Sequence, residues 1–360
     1  MKNLTLLIKP AAGLCNINCT YCFYKSASRA RDNNIMSRET VDMLIRKIRE
    51  YGASAVNILF QGGEPTLAGL DFFRYFTDRV RQNISVPVSY GMQSNGILIN
   101  NAWAEFFREN HFLLGVSLDG GRRTTDRYRL DKNSRSVLPQ ILNGISALRK
   151  SGVDFNILSV IDDKNAMDIE NTWQYFKKHD FRFLQFIPLV DEGMGISLSA
   201  DIYAFFLNRS FDLWYKDWEK GCYISVRHID NYIRILMGEQ PENCAMCGVC
   251  GSYFVLEANG DLFPCDFYCT EERRIGNIYD DDPFAQNEKQ RSFISLSMII
   301  HEHCRTCQWY ALCRGGCLRD RSQNFTKNRY CDAYKTFFDH AAERMSQIAK
   351  QLVSAETFQH

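Results

Sequence analysis

The chain has no excess of charge of either sign: 43 Lys and Arg stand against 42 Asp and Glu, a formal net charge of +1 at pH 7. With no basic surplus and no basic run, nucleic acid is not expected as a partner. No apolar run approaches the roughly 20 residues of a membrane-spanning helix, so no membrane partner is expected either. Met1–Pro10 has a short apolar core but no small-residue cleavage site, so it does not read as a secretory signal. The expected location is cytoplasmic, where structural disulfides are uncommon. No internal sequence repeat is visible. Cysteine is missing altogether between residues 23 and 221, yet the chain has 14 of them. An apolar fraction of 45% over 360 residues supports a sizeable core, so the cysteines are not needed as staples. Metal binding or catalysis is what they point to.

Short apolar runs alternate with amphipathic patterns through the first half of the chain. Strands are expected at Leu4–Lys9, Val56–Phe60, Pro87–Met92, Leu113–Leu118, Phe155–Ile161 and Phe183–Ile187. After a polar loop at Ser26–Asn34, Ser37 is placed to cap a helix with Val41, Leu44, Ile45 and Ile48 on one face, ended by Gly52. Further helical patterns cover Leu70–Arg81, Asn100–Asn110, Leu138–Ser151 and Asp168–Lys178. Strands alternating with helices imply a parallel sheet. Six such units predict an α/β fold, a partial (β/α)6 TIM-like barrel. Helices over Asp201–Gly221 and Ser225–Gly238 follow. The composition then shifts, with ten cysteines between Cys244 and Cys331, which sets a boundary near 235–243. The expected domains are a barrel at 1–238, a cysteine-rich domain at 239–335, and a C-terminal helix at 336–360 that packs on the body.

The first three cysteines, Cys15, Cys19 and Cys22, follow the first strand. Their spacing is also i, i+4 and i+7, one face of a helix, but Pro10, Gly13, Asn16 and Asn18 favour a loop. Three thiolates suit three corners of a four-iron cluster with one iron left open. Zinc completed by a distant fourth cysteine remains open on spacing alone. Gln61-Gly62-Gly63-Glu64-Pro65 directly follows the second strand, and its glycines permit a close backbone approach to a ligand or simply form a turn. Gln93-Ser94-Asn95-Gly96 and Ser117-Leu118-Asp119-Gly120 end the next two strands and carry the same pair of readings.

In the cysteine-rich region, Cys250 precedes Gly260 and Cys265, and Cys304-x2-Cys307-x5-Cys313-x3-Cys317 precedes Cys331. With Cys244 this makes eight thiolates, enough for two closed sites, as zinc ribbons or as clusters. Cys247 lies between two of these candidates and is able to replace either, whereas Cys222 and Cys269 read as ordinary buried residues. Asp266 reads as a local cap or, beside Cys265 and among aromatics, as a general base.

The Cys-x-x-x-Cys-x-Tyr-Cys loop followed by Gly-Gly-Glu-Pro resembles the radical S-adenosylmethionine enzymes, and the C-terminal cysteine pattern resembles the SPASM domain. Leu7-Ile8-Lys9-Pro10, Phe23-Tyr24, Phe60 to Gly69, Phe155-Asn156-Ile157-Leu158, Phe183-Leu184-Gln185-Phe186 and Pro264-Cys265-Asp266-Phe267-Tyr268 narrow the resemblance to anaerobic sulfatase-maturating enzymes, over nearly the whole chain. It implies three 4Fe-4S clusters: Cys15, Cys19 and Cys22 on the first, Cys244, Cys250, Cys265 and Cys317 on a nearer auxiliary cluster, and Cys304, Cys307, Cys313 and Cys331 on a farther one. It also implies S-adenosyl-L-methionine held by Gln61, Gly62, Gly63 and Glu64, by Ser117, and by Arg129 at its carboxylate, with Tyr21 and the backbone near Val190 at the adenosyl part. The implied reaction oxidises a Cys or Ser in a sulfatase polypeptide, within a Cys/Ser-x-Pro-x-Arg segment, to Cα-formylglycine. Asp266 would take the thiol or hydroxyl proton, and flavodoxin or ferredoxin would supply electrons. A SPASM enzyme that crosslinks or epimerises a ribosomal peptide is the alternative. A chain that starts almost directly with its first strand weighs against it. A non-enzymatic iron–sulfur or zinc protein is the alternative from another class.

Overall fold

The computed structural model describes residues 2–24, 34–190, 195–321 and 327–357. Most of the polar loop read at Ser26–Asn34, positions 26–33, lies outside them. The chain forms two compact units. One comprises Met1–Leu118, Thr125–Ile157 and Gly251–Ser292; the other comprises Asp119–Thr124, Leu158–Cys250 and Phe293–His360.

Ten strands occur among the described residues: β1 (Asn3–Lys9), β2 (Ala55–Phe60), β3 (Val88–Ser94), β4 (Phe112–Ser117), β5 (Phe155–Ile161), β6 (Phe183–Pro188), β7 (Ser225–Val226), β8 (Phe254–Glu257), β9 (Asp261–Phe263) and β10 (Gly276–Asn277). Within the first unit the hydrogen-bonded order is β10-β9-β8-β1-β2-β3-β4. The strands from β8 to β4 run parallel, with Leu7 opposite Leu59, Ile58 opposite Tyr90 and Met92 opposite Leu114. Their carboxyl ends therefore share one edge of the sheet, the edge on which α/β folds build their sites.

One sheet face is buried against helices. Val56, Ile58 and Phe60 alternate inward along β2, as the period of two requires. Phe60 meets Phe73 and Phe76 of the helix Leu70–Asn83 edge-on at 5.0 and 5.1 Å, and Phe73 meets Trp103 of the helix Asn101–Glu109 at 5.4 Å. On the opposite face Leu59 and Leu113 are exposed. Local signals set the helix ends. Ser37 accepts from Thr40 N at the start of Arg38–Tyr51, Gly52 closes that helix at φ 66°, and Asn100 accepts from Trp103 N. These are the caps that the sequence supplies.

In the second unit β6 and β7 pair in parallel. The helix Ala200–Trp218 packs along the final helix Cys331–Thr357, with Phe211 edge-on to Phe337 at 6.0 Å and Asp212 bound by His340 and Arg344.

The structure corrects the sequence reading in three places. Ser225 and Val226 form β7, so the helix expected from Ser225 starts at Arg227. The last helix begins at Cys331, ahead of the expected start at 336. Strands β8, β9 and β10 and the helix Glu288–Ser297 were not expected at all. Among the described residues no helix is long and apolar enough to cross a membrane.

Candidate active site

The cysteine loop leaves the carboxyl end of β1 and is laid along the segment Tyr128–Asp131. Asn18 N donates to Leu130 O at 2.8 Å, Thr20 N donates to Tyr128 O at 3.0 Å, and Ile17 bridges Asp131. Because these backbone donors are committed to another segment, the loop is not helical, and the three cysteines do not form one helix face. Cys19 is buried, Cys15 and Cys22 are half-buried, and none is in a disulfide. Burial pushes the Cys15 thiol up, and the nearby Glu64 and Cys22 add to the effect. Arg129 brings its guanidinium 3.8 Å from Cys19 Sγ and 5.3 Å from the Tyr21 ring centre. Asn95 Nδ2 reaches within 4.0 Å of Cys15 Sγ.

Residues 61–64 dock on this loop. Gly63 N donates to Ala12 O at 2.9 Å and Glu64 N donates to Leu14 O at 2.7 Å. Gly62 has φ +123°, and a Cβ on Gly63 would stand 2.0 Å from Leu14 O. Only glycine tolerates that approach. The Glu64 carboxylate is 1% exposed and occupied by donors of its own unit. Thr66 N, Thr66 Oγ1 and Ser94 Oγ donate to Oε1, and Asn95 N donates to Oε2. Burial raises its pKa, and these hydrogen bonds oppose the rise. Glu64 thus ties the loop after β2 to the end of β3. The pair Ser94-Asn95, read in the sequence as a strand-end turn or a ligand contact, is its partner. Ser117 is the last residue of β4 on the same edge and is buried.

A second cluster sits where β1, β8 and the turn after β9 meet. Lys9, the last residue of β1, lies opposite Glu257, the last of β8. Its ammonium is 2.6 Å from Asp266 Oδ1, 3.4 Å from Glu257 Oε1, 3.6 Å from Cys269 Sγ and 3.9 Å from the centre of the Tyr24 ring. Burial opposes the charge on Lys9, but Asp266, Cys269, Tyr24 and Glu257 together outweigh it and raise its pKa. Tyr24 OH donates to Glu257 at 3.0 Å, and Gln61 Nε2 donates to Asp266 Oδ2 at 3.2 Å. Gln61, expected at the cofactor, is thereby joined to Asp266. Sequence reasoning gave no site role to Lys9, Tyr24 or Glu257. The available signal was a charged residue closing an apolar strand, Leu-Leu-Ile-Lys in β1 and Phe-Val-Leu-Glu in β8.

The remaining candidates distribute as follows. Val190 lies in the second unit, two residues beyond β6, and is half-buried. Cys304, Cys307, Cys313 and Cys331 are electrostatic neighbours: burial pushes the Cys313 thiol up to about 11, and the other three add to the rise. Cys244 likewise raises both Cys250 and Cys317, and burial drives Cys317 up to about 12. Cys265 belongs to the first unit, next to Asp266. Cys247 Sγ lies 3.6 Å from the carbonyl oxygens of Pro241 and Asn243. Cys269 is buried with Leu7, Val255 and Phe263, whereas Cys222, expected to be buried, is exposed.

The donor set fits iron–sulfur clusters. It consists of free thiols with a guanidinium beside the first group. Among the described residues no three Cys, His, Asp or Glu converge on a single ion, and cluster cysteines, each on its own iron, stand further apart than the ligands of one ion.

Residues 11–176 match the family model described as the Radical SAM superfamily. The cysteine-type anaerobic sulfatase-maturating enzyme of Clostridium novyi is 38% identical over 370 residues, which cover 98% of this chain and 99% of that one. The serine-type enzyme of Bacteroides thetaiotaomicron is 29% identical, over 99% of this chain and 93% of its own. The solved structure described as "Native anSMEcpe with bound AdoMet and Kp18Cys peptide" superposes with a TM-score of 0.93 at 36% identity, covering 97% of this chain and 99% of that one. Streptococcus suis SuiB, at 16% identity and a TM-score of 0.63 over 92% of this chain and 77% of its own, shares the fold alone. Identity of this extent along the whole length places the chain among the anaerobic sulfatase-maturating enzymes, radical S-adenosylmethionine proteins with a parallel-stranded α/β fold and a cysteine-rich C-terminal region.

Proposed function

We propose that this enzyme oxidises a Cys of a sulfatase polypeptide, within a Cys-x-Pro-x-Arg segment, to Cα-formylglycine. The choice of Cys over Ser is supported by the higher identity to the cysteine-type relative, 38% against 29%. Cys15, Cys19 and Cys22 would hold the first cluster. Gly62, Gly63 and Glu64 would hold S-adenosylmethionine, with Ser117, Tyr21 and Val190 as further expected contacts and Arg129 at the carboxylate. Cys244, Cys250, Cys265, Cys304, Cys307, Cys313, Cys317 and Cys331 supply the thiolates for two auxiliary clusters. Bound in these places, the cofactors supply a 5′-deoxyadenosyl radical that takes a hydrogen atom from the substrate Cβ, and an acceptor for the second electron. Asp266 takes the thiol proton, which with the loss of the hydrogen atom and the second electron leaves a thioaldehyde; water then hydrolyses it to the aldehyde and hydrogen sulfide leaves. A flavodoxin or ferredoxin is the expected electron donor.

The observation that carries this reading is the bond from Gln61 to Asp266. It links the first residue of the expected cofactor loop to the carboxylate, which supports Asp266 as the proton acceptor. The test is anaerobic incubation of the cluster-loaded enzyme with reductant, S-adenosylmethionine and Cys and Ser versions of a Cys/Ser-x-Pro-x-Arg peptide, followed by mass spectrometry. The expected product is an aldehyde in place of the CH2SH group. Cofactor cleavage with both peptides unchanged would overturn the sulfatase assignment.

A further inference from the structure

Lys9 is an expensive residue to place where it is. Its side chain is 0% exposed, and it is flanked by two carboxylates, so the buried group has a formal charge of −1. Buried ion pairs are weak contributors to stability, and apolar residues of similar volume often replace them at no loss. The surroundings are already apolar: Leu7, Val255, Phe263 and Cys269 form a closed cluster there. Stability alone therefore does not explain the ammonium.

The geometry around Asp266 does. Its two oxygens are held from two sides, Oδ1 by Lys9 and Oδ2 by Gln61. Among the described residues Oδ1 has no hydrogen-bond partner apart from this ammonium. Lys9 is held in turn by Glu257, whose carboxylate is fixed through both oxygens by Tyr24 OH at 3.0 Å. Without the ammonium, Asp266 keeps a single hydrogen bond to a flexible amide and is free to turn about its side-chain torsions. We propose that Lys9, clamped by Glu257, is a positioning residue that fixes the Asp266 carboxylate in the orientation needed to receive the substrate proton. The proposal rests on the reading of Asp266 as proton acceptor.

The test compares four cluster-loaded enzymes: wild type, Asp266→Asn, Lys9→Met/Glu257→Gln, and the triple variant. The double variant removes one positive and one negative charge, so the formal charge of the buried group is unchanged, and Asp266 is left with Gln61 in place of its cation. Iron content, thermal denaturation, peptide KM, 5′-deoxyadenosine and formylglycine are measured on each. The double variant is expected to retain iron, peptide KM and cofactor cleavage, while formylglycine formed per 5′-deoxyadenosine falls on the order of 10²-fold, the usual effect of a misplaced reacting group. Adding Lys9→Met/Glu257→Gln to Asp266→Asn should cost nothing further, because Lys9 acts only through Asp266. Wild-type coupling in the double variant, or a full additional loss in the triple variant, overturns the proposal while leaving Asp266 as the base. Wild-type coupling in Asp266→Asn overturns the base reading itself. If the double variant does not hold iron, Glu257→Gln alone serves. A smaller drop in the same ratio is expected there, and unchanged coupling counts against the clamp.

Discussion

Substituting Gly63 by Ala tests the interlock of the two cofactor loops. The added Cβ would stand 2.0 Å from Leu14 O, 2.7 Å from Leu14 C and 2.9 Å from Gly13 C, all of them backbone atoms, whereas ordinary contact starts at 3.4 Å. No side chain is available to swing aside, so the loops must part by more than about 1 Å. Overpacking of this kind costs about 1–3 kcal/mol. The separation also strains the bonds from Gly63 N to Ala12 O and from Glu64 N to Leu14 O, each worth about 1 kcal/mol net. The total, about 2–5 kcal/mol, is a large fraction of the stability of a typical domain. Cofactor cleavage should fall on the order of 10²-fold from loop misplacement alone. Gly52→Ala is the control. Gly52 also has positive φ, but nothing lies within 4 Å of its Cβ. That variant should lose about 1 kcal/mol and keep full cleavage. Thermal denaturation and 5′-deoxyadenosine release measure both variants, and a Gly63→Ala enzyme equal to wild type in both refutes the interlock.

Replacing Cys15, Cys19 and Cys22 together by Ala should abolish cofactor cleavage yet leave about eight irons per chain, as two four-iron auxiliary clusters require; iron analysis beside the cleavage assay checks this. Asp266→Asn should keep iron and cofactor cleavage and lose most formylglycine, measured by mass spectrometry of the peptide. Burial lowers the pKa of His228 to about 4, and its Nε2 has no hydrogen-bond partner among the described residues. The unfolded chain, with an ordinary His pKa of about 6.5, binds this proton first, so stability is lost as pH falls from about 6.5 to about 4. His228→Phe should flatten that limb of a denaturation-against-pH curve, and an unchanged limb would show that other groups cause it.

The parts of the fold that could be read from the sequence were those set by local chemistry. Short apolar runs between amphipathic helical patterns marked β1 to β6. Ser37 and Gly52 marked helix ends because a side chain or a torsion satisfies orphan backbone groups there. β8 to β10 escaped because strands of two to four residues carry too little periodicity, and the cysteines around them drew attention to metal instead. β8 is defined by its pairing with β1, more than 240 residues away in the chain, a relation that no local pattern announces. The candidate site divides in the same way. The cysteine loop and the Gly-Gly-Glu turn have fixed spacings and were visible. The Lys9–Glu257–Asp266 cluster, assembled from three distant segments, was not. Glu64 was visible as a residue, but its commitment to Thr66, Ser94 and Asn95 was not.

The most direct test uses a Cys-x-Pro-x-Arg peptide whose cysteine carries deuterium at both Cβ positions, incubated without oxygen with the cluster-loaded enzyme, reductant and S-adenosylmethionine. The account predicts one deuterium in the 5′-deoxyadenosine released and one retained in a formylglycine aldehyde, in equal amounts. Unlabelled 5′-deoxyadenosine with the peptide unchanged would contradict it and point to radical chemistry on a different polypeptide.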